Sequence, residues 1–218
     1  MRNLFTFLIA ALIFLFGISQ SSHAQRYVDK ENVSEVRSLL NRNNDLGGFG
    51  AIDFKVTDIV DTRAMLLGAR AGLVVNRRFL FGLAGYGIAT RAEFDGNPSP
   101  SQIEPLRLYG GYAGMLLGGM IAPEKMIHLS VPVLLGAGGV EVSDENYFAT
   151  FSDSEYSIER SAFFVVEPGL ELEINITQVL RLGFGASYRW VTGSDLTTLG
   201  DDDLTSWSGN FSIRFGGF

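Results

Sequence analysis

The chain of 218 residues carries 17 Lys and Arg against 24 Asp and Glu, for a formal net charge of −7, and contains no cysteine. The negative charge argues against nucleic acid as a partner. The absence of cysteine excludes disulfides, a thiol nucleophile and thiolate metal sites. The 26 glycines and 17 phenylalanines favour β-strands in which small side chains line a crowded interior and large ones face outward.

Residues 1–24 have the pattern of a cleaved signal peptide. Arg2 precedes the apolar run from Leu4 to Gly17, and Ser22-His23-Ala24 supplies the small residues of a cleavage site. The run has about 14 residues, and a spanning helix needs roughly 20. We therefore expect cleavage after Ala24, which removes Arg2 and changes the net charge to −8.

Residues 25–45 are polar, with a few apolar side chains at helix-like spacing, and predict a short periplasmic helix or segment. From Leu46 to Phe218 the apolar period becomes two, which is typical of strands. No stretch after residue 24 is apolar for long enough to form a membrane helix, so membrane insertion would have to use strands. We predict eight strands, at 46–57, 63–75, 79–89, 106–121, 126–142, 162–176, 179–191 and 204–215.

The connections between these strands alternate in length. Tight turns are predicted at 76–78, 122–125 and 177–178. Longer loops are predicted at 58–62, 90–105, 143–161 and 192–203. This asymmetry is typical of outer-membrane barrels, which have short periplasmic turns and longer outer loops. The sequence therefore predicts an all-β, eight-stranded antiparallel up-and-down transmembrane barrel with both termini in the periplasm.

One face of each predicted strand is apolar and the other is small or charged. An eight-stranded barrel has room inside only for side chains, so charges there must pair. We predict a charge network that plugs the lumen, formed by Arg70, Glu167, Glu171, Glu173, Arg181, Arg189 and Arg214. A gated ion or proton path through the same residues is the alternative.

Alternation alone does not decide whether the apolar face points outward. A soluble periplasmic barrel that binds an apolar ligand would turn it inward. We favour the membrane orientation because the polar face is rich in Gly and Ser, and because aromatic residues gather near strand ends. Tyr188, Trp190 and Trp207 are predicted to form an outer aromatic girdle. Pro132 and Pro168 fall within predicted strands, where we expect bulges or misplaced boundaries.

The segment from Phe164 to Gly193, with its Glu167-Pro168-Gly169 and Ser187-Tyr188-Arg189 motifs, resembles the later strands of small outer-membrane barrels from Bacteroidetes. His128 to Pro132 resembles the middle of the same group. More distantly the pattern is similar to barrels of the OmpA and OmpX type. The resemblance implies a barrel in the outer membrane of a Gram-negative bacterium and no particular activity.

The C-terminal strand carries the pattern of an insertion signal. Phe211, Ile213 and Phe215 alternate as in the signal read by the barrel-insertion machinery, and Phe218 is a terminal aromatic out of phase with them. We therefore expect that machinery as a partner during biogenesis, together with outer-membrane lipid. The barrel itself is predicted to be a monomer without cofactor or metal.

His128 is the single histidine of the mature chain. His128 and Ser130 with Glu141 downstream resemble the strand-borne triad of lipid A deacylases, in which histidine activates serine. Glu141 is at odd spacing from both, so it should face the opposite side. A non-enzymatic barrel is the favoured hypothesis, and a lipid-modifying enzyme is the alternative.

The predicted outer loops are acidic, and loop 143–161 also contains aromatic residues. Clustered carboxylates are most often a solvated surface. Exposed aromatics among acids form contact surfaces for partners. We predict a structural or surface-interaction role in which a ligand would be contacted by Tyr147, Phe148, Phe151 and Tyr156.

Overall fold

The computed structural model describes residues 45–59, 62–90, 92–99, 102–144, 157–194 and 200–217. The predicted signal peptide, almost all of the 25–45 segment and Phe218 lie outside the described residues. Within the described parts, no helix has the length and apolar character to cross a membrane. The elements are β1 (Leu46–Ile59), β2 (Thr62–Val75), β3 (Phe79–Ile88), β4 (Ala92–Ser99), β5 (Gln102–Ile121), β6 (Ile127–Asp144), β7 (Ser157–Asn175), β8 (Leu180–Thr192), α1 (Asp201–Leu204) and β9 (Ser206–Gly216).

Eight of the strands close into an antiparallel barrel, which confirms the predicted fold. The sheet runs β3-β2-β1-β9-β8-β7-β6-β5, and β3 pairs with β5 to complete the circle. Neighbours in sequence are neighbours in space, apart from the closing pair of β1 with β9 and the β3–β5 pair that bypasses β4. The three tight turns, the start of β1 and the end of β9 share one end of the barrel, here called the turn end. The opposite end is the loop end.

The prediction of a loop over residues 90–105 is wrong. β4 and the first residues of β5 form a hairpin there, paired from Ala92↔Leu108 to Ser99↔Gln102. β4 is a ninth strand that continues the sheet beyond the barrel, because β5 pairs with β3 only from Gly111 onward. The polar sequence of this stretch lacks the clear alternation that identified the other strands. The predicted loops at 58–62 and 143–161 are also too long, since the flanking strands extend into them.

The tight turn between β2 and β3 depends on left-handed backbone. Asn76 and Arg77 have φ of 52° and 57°, and the Arg78 amide donates to the Val75 carbonyl at 3.1 Å. Two successive residues with positive φ define the turn that matches strand twist in hairpins. The turn therefore joins β2 to β3 without splaying them.

The two prolines lie inside strands without the bulges that we expected. The β6–β7 register runs from Ser130↔Glu171 to Val133↔Pro168 with no shift, although the two pairs between them are missing. The missing N–H of Pro132 thus removes local pairing while the register continues on both sides. The β7–β8 register likewise passes Pro168 unchanged. The expectation of bulges at these prolines was therefore wrong. Both strands continue past the proline, although each proline lacks the backbone N–H that would donate to the neighbouring strand.

Facing follows the period of two along every barrel strand. The outward face carries exposed apolar side chains such as Phe54, Leu135 and Phe184. The inward face alternates buried charged or apolar residues with glycine. Glycine is required where the wall curves sharply: a Cβ on Gly114 would lie 2.2 Å from the Leu135 carbonyl oxygen. The core is thus the lumen itself.

Candidate functional site: the charged lumen

The lumen holds a cluster of buried charges that we call the lumen network. It comprises Asp53, Lys55, Arg70, His128, Glu167, Glu171, Glu173, Arg181 and Arg214. These residues come from β1, β2, β6, β7, β8 and β9, and they meet because the closed sheet turns one face of each strand inward. Each is at most 6% exposed. Charges this deeply buried are stabilised only by pairing and hydrogen bonds.

The part of the network nearer the loop end centres on Glu167. Its carboxylate accepts from Lys55 Nζ at 2.5 Å, Tyr112 Oη at 2.6 Å and Ser187 Oγ at 2.5 Å. Lys55 also lies over the Tyr86 ring, with Nζ 3.5 Å from the centroid. An ammonium between an aromatic face and a carboxylate is stabilised from both sides. This group therefore occupies the middle of the lumen, beside a cavity of about 20 Å³ that Lys55, Glu167 and Ser187 help to line.

Nearer the turn end the network alternates guanidinium and carboxylate. Arg70 donates to Asp53 at 2.7 Å and to Glu171 at 2.9 Å. Arg214 donates to Glu171 at 3.2 Å and to Glu173 at 2.6 Å. Each of the two arginines thus bridges two carboxylates. The chain of pairs crosses the lumen and ties four strands together.

Glu173 is the meeting point at the turn end. His128 Nε2 lies 3.2 Å from Glu173 Oε2, and Arg181 Nη1 lies 3.6 Å from the same oxygen. Together with Arg214, three basic side chains surround this carboxylate. Among the described carboxylates, Glu173 is therefore the one that contacts the most basic side chains.

Of the seven predicted lumen residues, the structure brings six into one network. Arg189 is the exception: it is buried, but it donates to the Leu204 carbonyl at 2.9 Å and to Thr57 Oγ1 at 3.4 Å. Sequence reasoning missed Asp53 and Lys55. The signal was present in β1, where Ala51, Asp53, Lys55 and Thr57 alternate with Ile52, Phe54 and Val56.

His128 and Ser130 share the lumen face, as their spacing predicts, but Glu141 does not join them. Glu141 faces outward and pairs with Arg160 at 2.9 Å. It lies 13 residues further along β6, which at about 3.3 Å per residue is roughly 40 Å. The proposed triad therefore does not form. His128 instead pairs with Glu173, and the Ser130 hydroxyl is fully buried.

The predicted girdle residues face outward beside the loop end. The Tyr188 and Trp207 rings pair across β8 and β9 with centroids 5.0 Å apart, and Trp190 is 62% exposed. In β9, Phe211, Ile213 and Phe215 also turn outward, between the buried Ser212 and Arg214. The predicted contact residues Tyr147, Phe148, Phe151 and Tyr156 lie outside the described residues, as does Phe218.

The short helix α1 folds back over the loop end. Its first residue, Asp201, accepts from the Ser194 and Gly193 amides at 2.8 and 3.0 Å. Hydrogen bonds from Ser194, and then from the Gly193 backbone, hold the pKa of Asp201 below its ordinary value, because they favour the ionised form. The last helical residue, Leu204, is buried at the mouth of the lumen.

No cluster of three His, Cys, Asp or Glu side chains that could hold a metal ion occurs in the described parts of the chain. The arrangement is instead one of alternating fixed charges. Salt bridges join these charges across the interior of the barrel.

The barrel defines the class: a closed eight-stranded antiparallel barrel of the kind found in outer-membrane proteins. The crystal structure of Neisserial surface protein A (NspA) matches with a TM-score of 0.50 at 12% identity, over 80% of this chain and 99% of that one. The N-terminal barrel domain of Pseudomonas aeruginosa OprF gives 0.45 at 9%, over 77% and 96%. Ail, the attachment invasion locus protein of Yersinia pestis, gives 0.39 at 12%, over 78% and 96%.

No protein-family model matches the chain, and no curated protein matches it in sequence. At 12% identity the likeness to NspA establishes the fold alone. The resemblance to small OmpA-type barrels is thus confirmed for the fold. The narrower resemblance to Bacteroidetes proteins stays a prediction.

Proposed function

We propose that this protein is a non-enzymatic barrel of the bacterial outer membrane, plugged by its lumen network, with a structural or surface-interaction role. One observation carries the proposal: the barrel is inside out relative to a soluble protein. Its outer wall carries large exposed apolar residues, with Leu83, Phe164 and Trp207 at 66–68%, while its charges are buried inside. Such a surface is stable where lipid surrounds it.

Fractionation of cells that express the full chain tests the location. We expect the protein in the outer-membrane fraction, migrating faster unboiled than boiled on a denaturing gel, because a closed barrel resists detergent until heated. A soluble protein with identical migration before and after boiling would refute the membrane assignment. It would favour the periplasmic barrel with an apolar ligand.

Single cysteine substitutions test which end of the barrel faces the outside of the cell, since the native chain has no cysteine. Asp202→Cys lies at the loop end and Lys125→Cys at the turn end, and both side chains are exposed. A membrane-impermeant maleimide added to intact cells should label Asp202→Cys alone, and both variants after lysis. Labelling of Lys125→Cys alone in intact cells would reverse the proposed orientation. The proposed contact role of Tyr147, Phe148, Phe151 and Tyr156 depends on this result.

The lumen network supports a plug rather than a pore. Purified protein in planar bilayers should give no steady conductance at neutral pH, since ion pairs span the lumen from Glu167 to Glu173. Steady single-channel currents would overturn the plug and favour the ion path. Glu171→Gln serves as the comparison, because it removes the carboxylate that bridges Arg70 and Arg214 and should raise any residual current.

The absence of a formed triad supports a non-enzymatic role. His128 and Ser130 are enclosed in the lumen, where an ester of a membrane lipid has no access. Mass spectra of lipid A from cells with and without the protein should be identical. An acyl chain that is missing from lipid A in cells with the wild-type protein, and present in cells without it or with Ser130→Ala, would contradict the proposal.

A further inference from the structure

Within the described residues, Arg189 is a buried cation without a carboxylate partner. Five buried Lys and Arg side chains in the described lumen face four buried Asp and Glu side chains. Within the described residues, each of the other four forms a salt bridge, and Arg189 forms none. The nearest elements of the network do not compensate, since Glu167 is already held by Lys55, Tyr112 and Ser187. A buried guanidinium in this position favours an anion.

Above Arg189 the lumen changes from charged to apolar. Between Arg189 and the loop end lies a cavity of about 20 Å³, enough for a single water molecule. Its walls are mainly apolar side chains from β1, β2, β3, β6, β7 and β8: Ile59, Leu66, Ile88, Val140, Phe163 and Val191. Tyr112 of β5 also lines it. An apolar chamber with one cation at its floor is the arrangement expected for an amphipathic anion.

Leu204 of α1 occupies this chamber from the open side. Its side chain is only 4% exposed and packs in the apolar cluster, while its carbonyl oxygen accepts from Arg189 Nε at 2.9 Å. The Leu204 side chain thus lies where the apolar chain of a bound carboxylate would lie. The Leu204 carbonyl oxygen lies where a carboxylate oxygen of that ligand would accept from Arg189. It neutralises no charge, because a carbonyl is a dipole.

We propose that the loop-end chamber binds a small carboxylate with a short apolar chain, and that Leu204 is an internal stand-in for this ligand. The carboxylate pairs with Arg189, the chain fills the space lined by Ile59, Leu66 and Val191, and α1 swings outward to admit it. The length is limited to about six carbons. Arg189 and Val191 both line the chamber and are two residues apart, about 7 Å along the strand, which is close to the length of an extended six-carbon carboxylate.

Calorimetric titration of the folded full chain in detergent micelles tests this proposal, with hexanoate and hexan-1-ol as probes. The key variant is Leu204→Ala, which empties the chamber. Leu135→Ala is the matched control, since it makes the same change on the outer wall and corrects for partition of the probe into the micelle. Leu204→Ala combined with Arg189→Gln removes the cation, and heat-modifiable migration verifies that each variant is folded.

We expect hexanoate to bind Leu204→Ala at least tenfold more tightly than the wild-type or Leu135→Ala chain. The same variant should bind hexan-1-ol at least tenfold more weakly than hexanoate. The double variant should lose the preference for hexanoate. Equal hexanoate binding in Leu204→Ala and Leu135→Ala would overturn the site, and equal binding of alcohol and acid would overturn the role of Arg189.

The comparison of the two probes in Leu204→Ala decides the question even where Arg189→Gln does not fold. The inference goes beyond the proposed function and does not depend on it, because the titration in micelles reports on the lumen whichever way the barrel is oriented in cells.

Discussion

The contacts of Lys55 in the lumen network allow the loss of unfolding free energy in Lys55→Met to be predicted. The substitution removes the ion pair with Glu167 at 2.5 Å and the contact with the Tyr86 ring at 3.5 Å, and it leaves the Glu167 carboxylate buried. Loss of one partner from a buried pair costs about 3–5 kcal/mol. Tyr112 and Ser187 still donate to Glu167, which places the expected cost at the lower end of that range, about 3 kcal/mol.

The double variant Lys55→Met with Glu167→Gln separates the charge from the packing. It replaces the ion pair by neutral groups of similar size, and the Tyr112 and Ser187 hydroxyls keep an oxygen acceptor. Replacement of a complete buried pair is often close to neutral, so most of the loss should be recovered, to within about 1 kcal/mol of wild type. The coupling between the two positions should therefore be about 2 kcal/mol or more.

Urea unfolding in phospholipid vesicles, under conditions where unfolding and refolding curves coincide, measures these free energies. Trp190 and Trp207 lie on the outer wall and report loss of the barrel by fluorescence. With a slope of about 1–3 kcal/mol per molar urea, the Lys55→Met midpoint should fall by at least about 1 M. Arg160→Met is the control, because its pair with Glu141 is partly exposed and is worth below about 1 kcal/mol. A double variant as unstable as the sum of the single variants would refute the reasoning.

Gly114→Ala should abolish heat-modifiable migration, since the added Cβ would meet a carbonyl oxygen at 2.2 Å, whereas Gly209→Ala, with nothing within 4 Å, should fold normally. Leu135→Arg should destabilise the barrel in vesicles by about 2–4 kcal/mol and Leu46→Arg, near the turn end, by about 1 kcal/mol or less. In an NMR titration, the two amides that donate to Asp201 should shift with a midpoint below the ordinary aspartate value, and Asp201→Asn should abolish this shift.

Equal folding of the two glycine variants would contradict the close approach of the strands at Gly114. Equal effects of the two leucine variants would contradict a lipid environment around the middle of the barrel. The pKa of Asp201 is lowered in the folded chain, so its hydrogen bonds to the two amides are fully present at any pH above the ordinary aspartate pKa. They are lost as the pH falls through the lowered pKa of the folded chain. A midpoint above the ordinary aspartate pKa would therefore refute the assignment.

Predictions from the sequence succeeded where a feature depends on neighbours along the chain. Alternation in segments such as Leu180 to Trp190 identified both faces of the strand, because side chains of a strand point to opposite sides in turn. The tight turns were found for the same local reason. The 92–99 strand was missed because its sequence has no periodic apolar pattern. It is a strand only because it pairs with β5 beyond the barrel rim.

The partners of the buried charges were decided only by the closed barrel. The sequence placed Arg70, Glu171 and Arg214 inside, yet Arg70 meets Asp53 at a separation of 17 residues and Glu171 at 101. Glu141 and Arg189 show the same limit of sequence reasoning. Glu141 lies far from His128 on the outer face, and Arg189 lies beneath Leu204 and outside the lumen network. Alternation fixes the face of each side chain, whereas register and closure fix its height and its neighbours across the lumen.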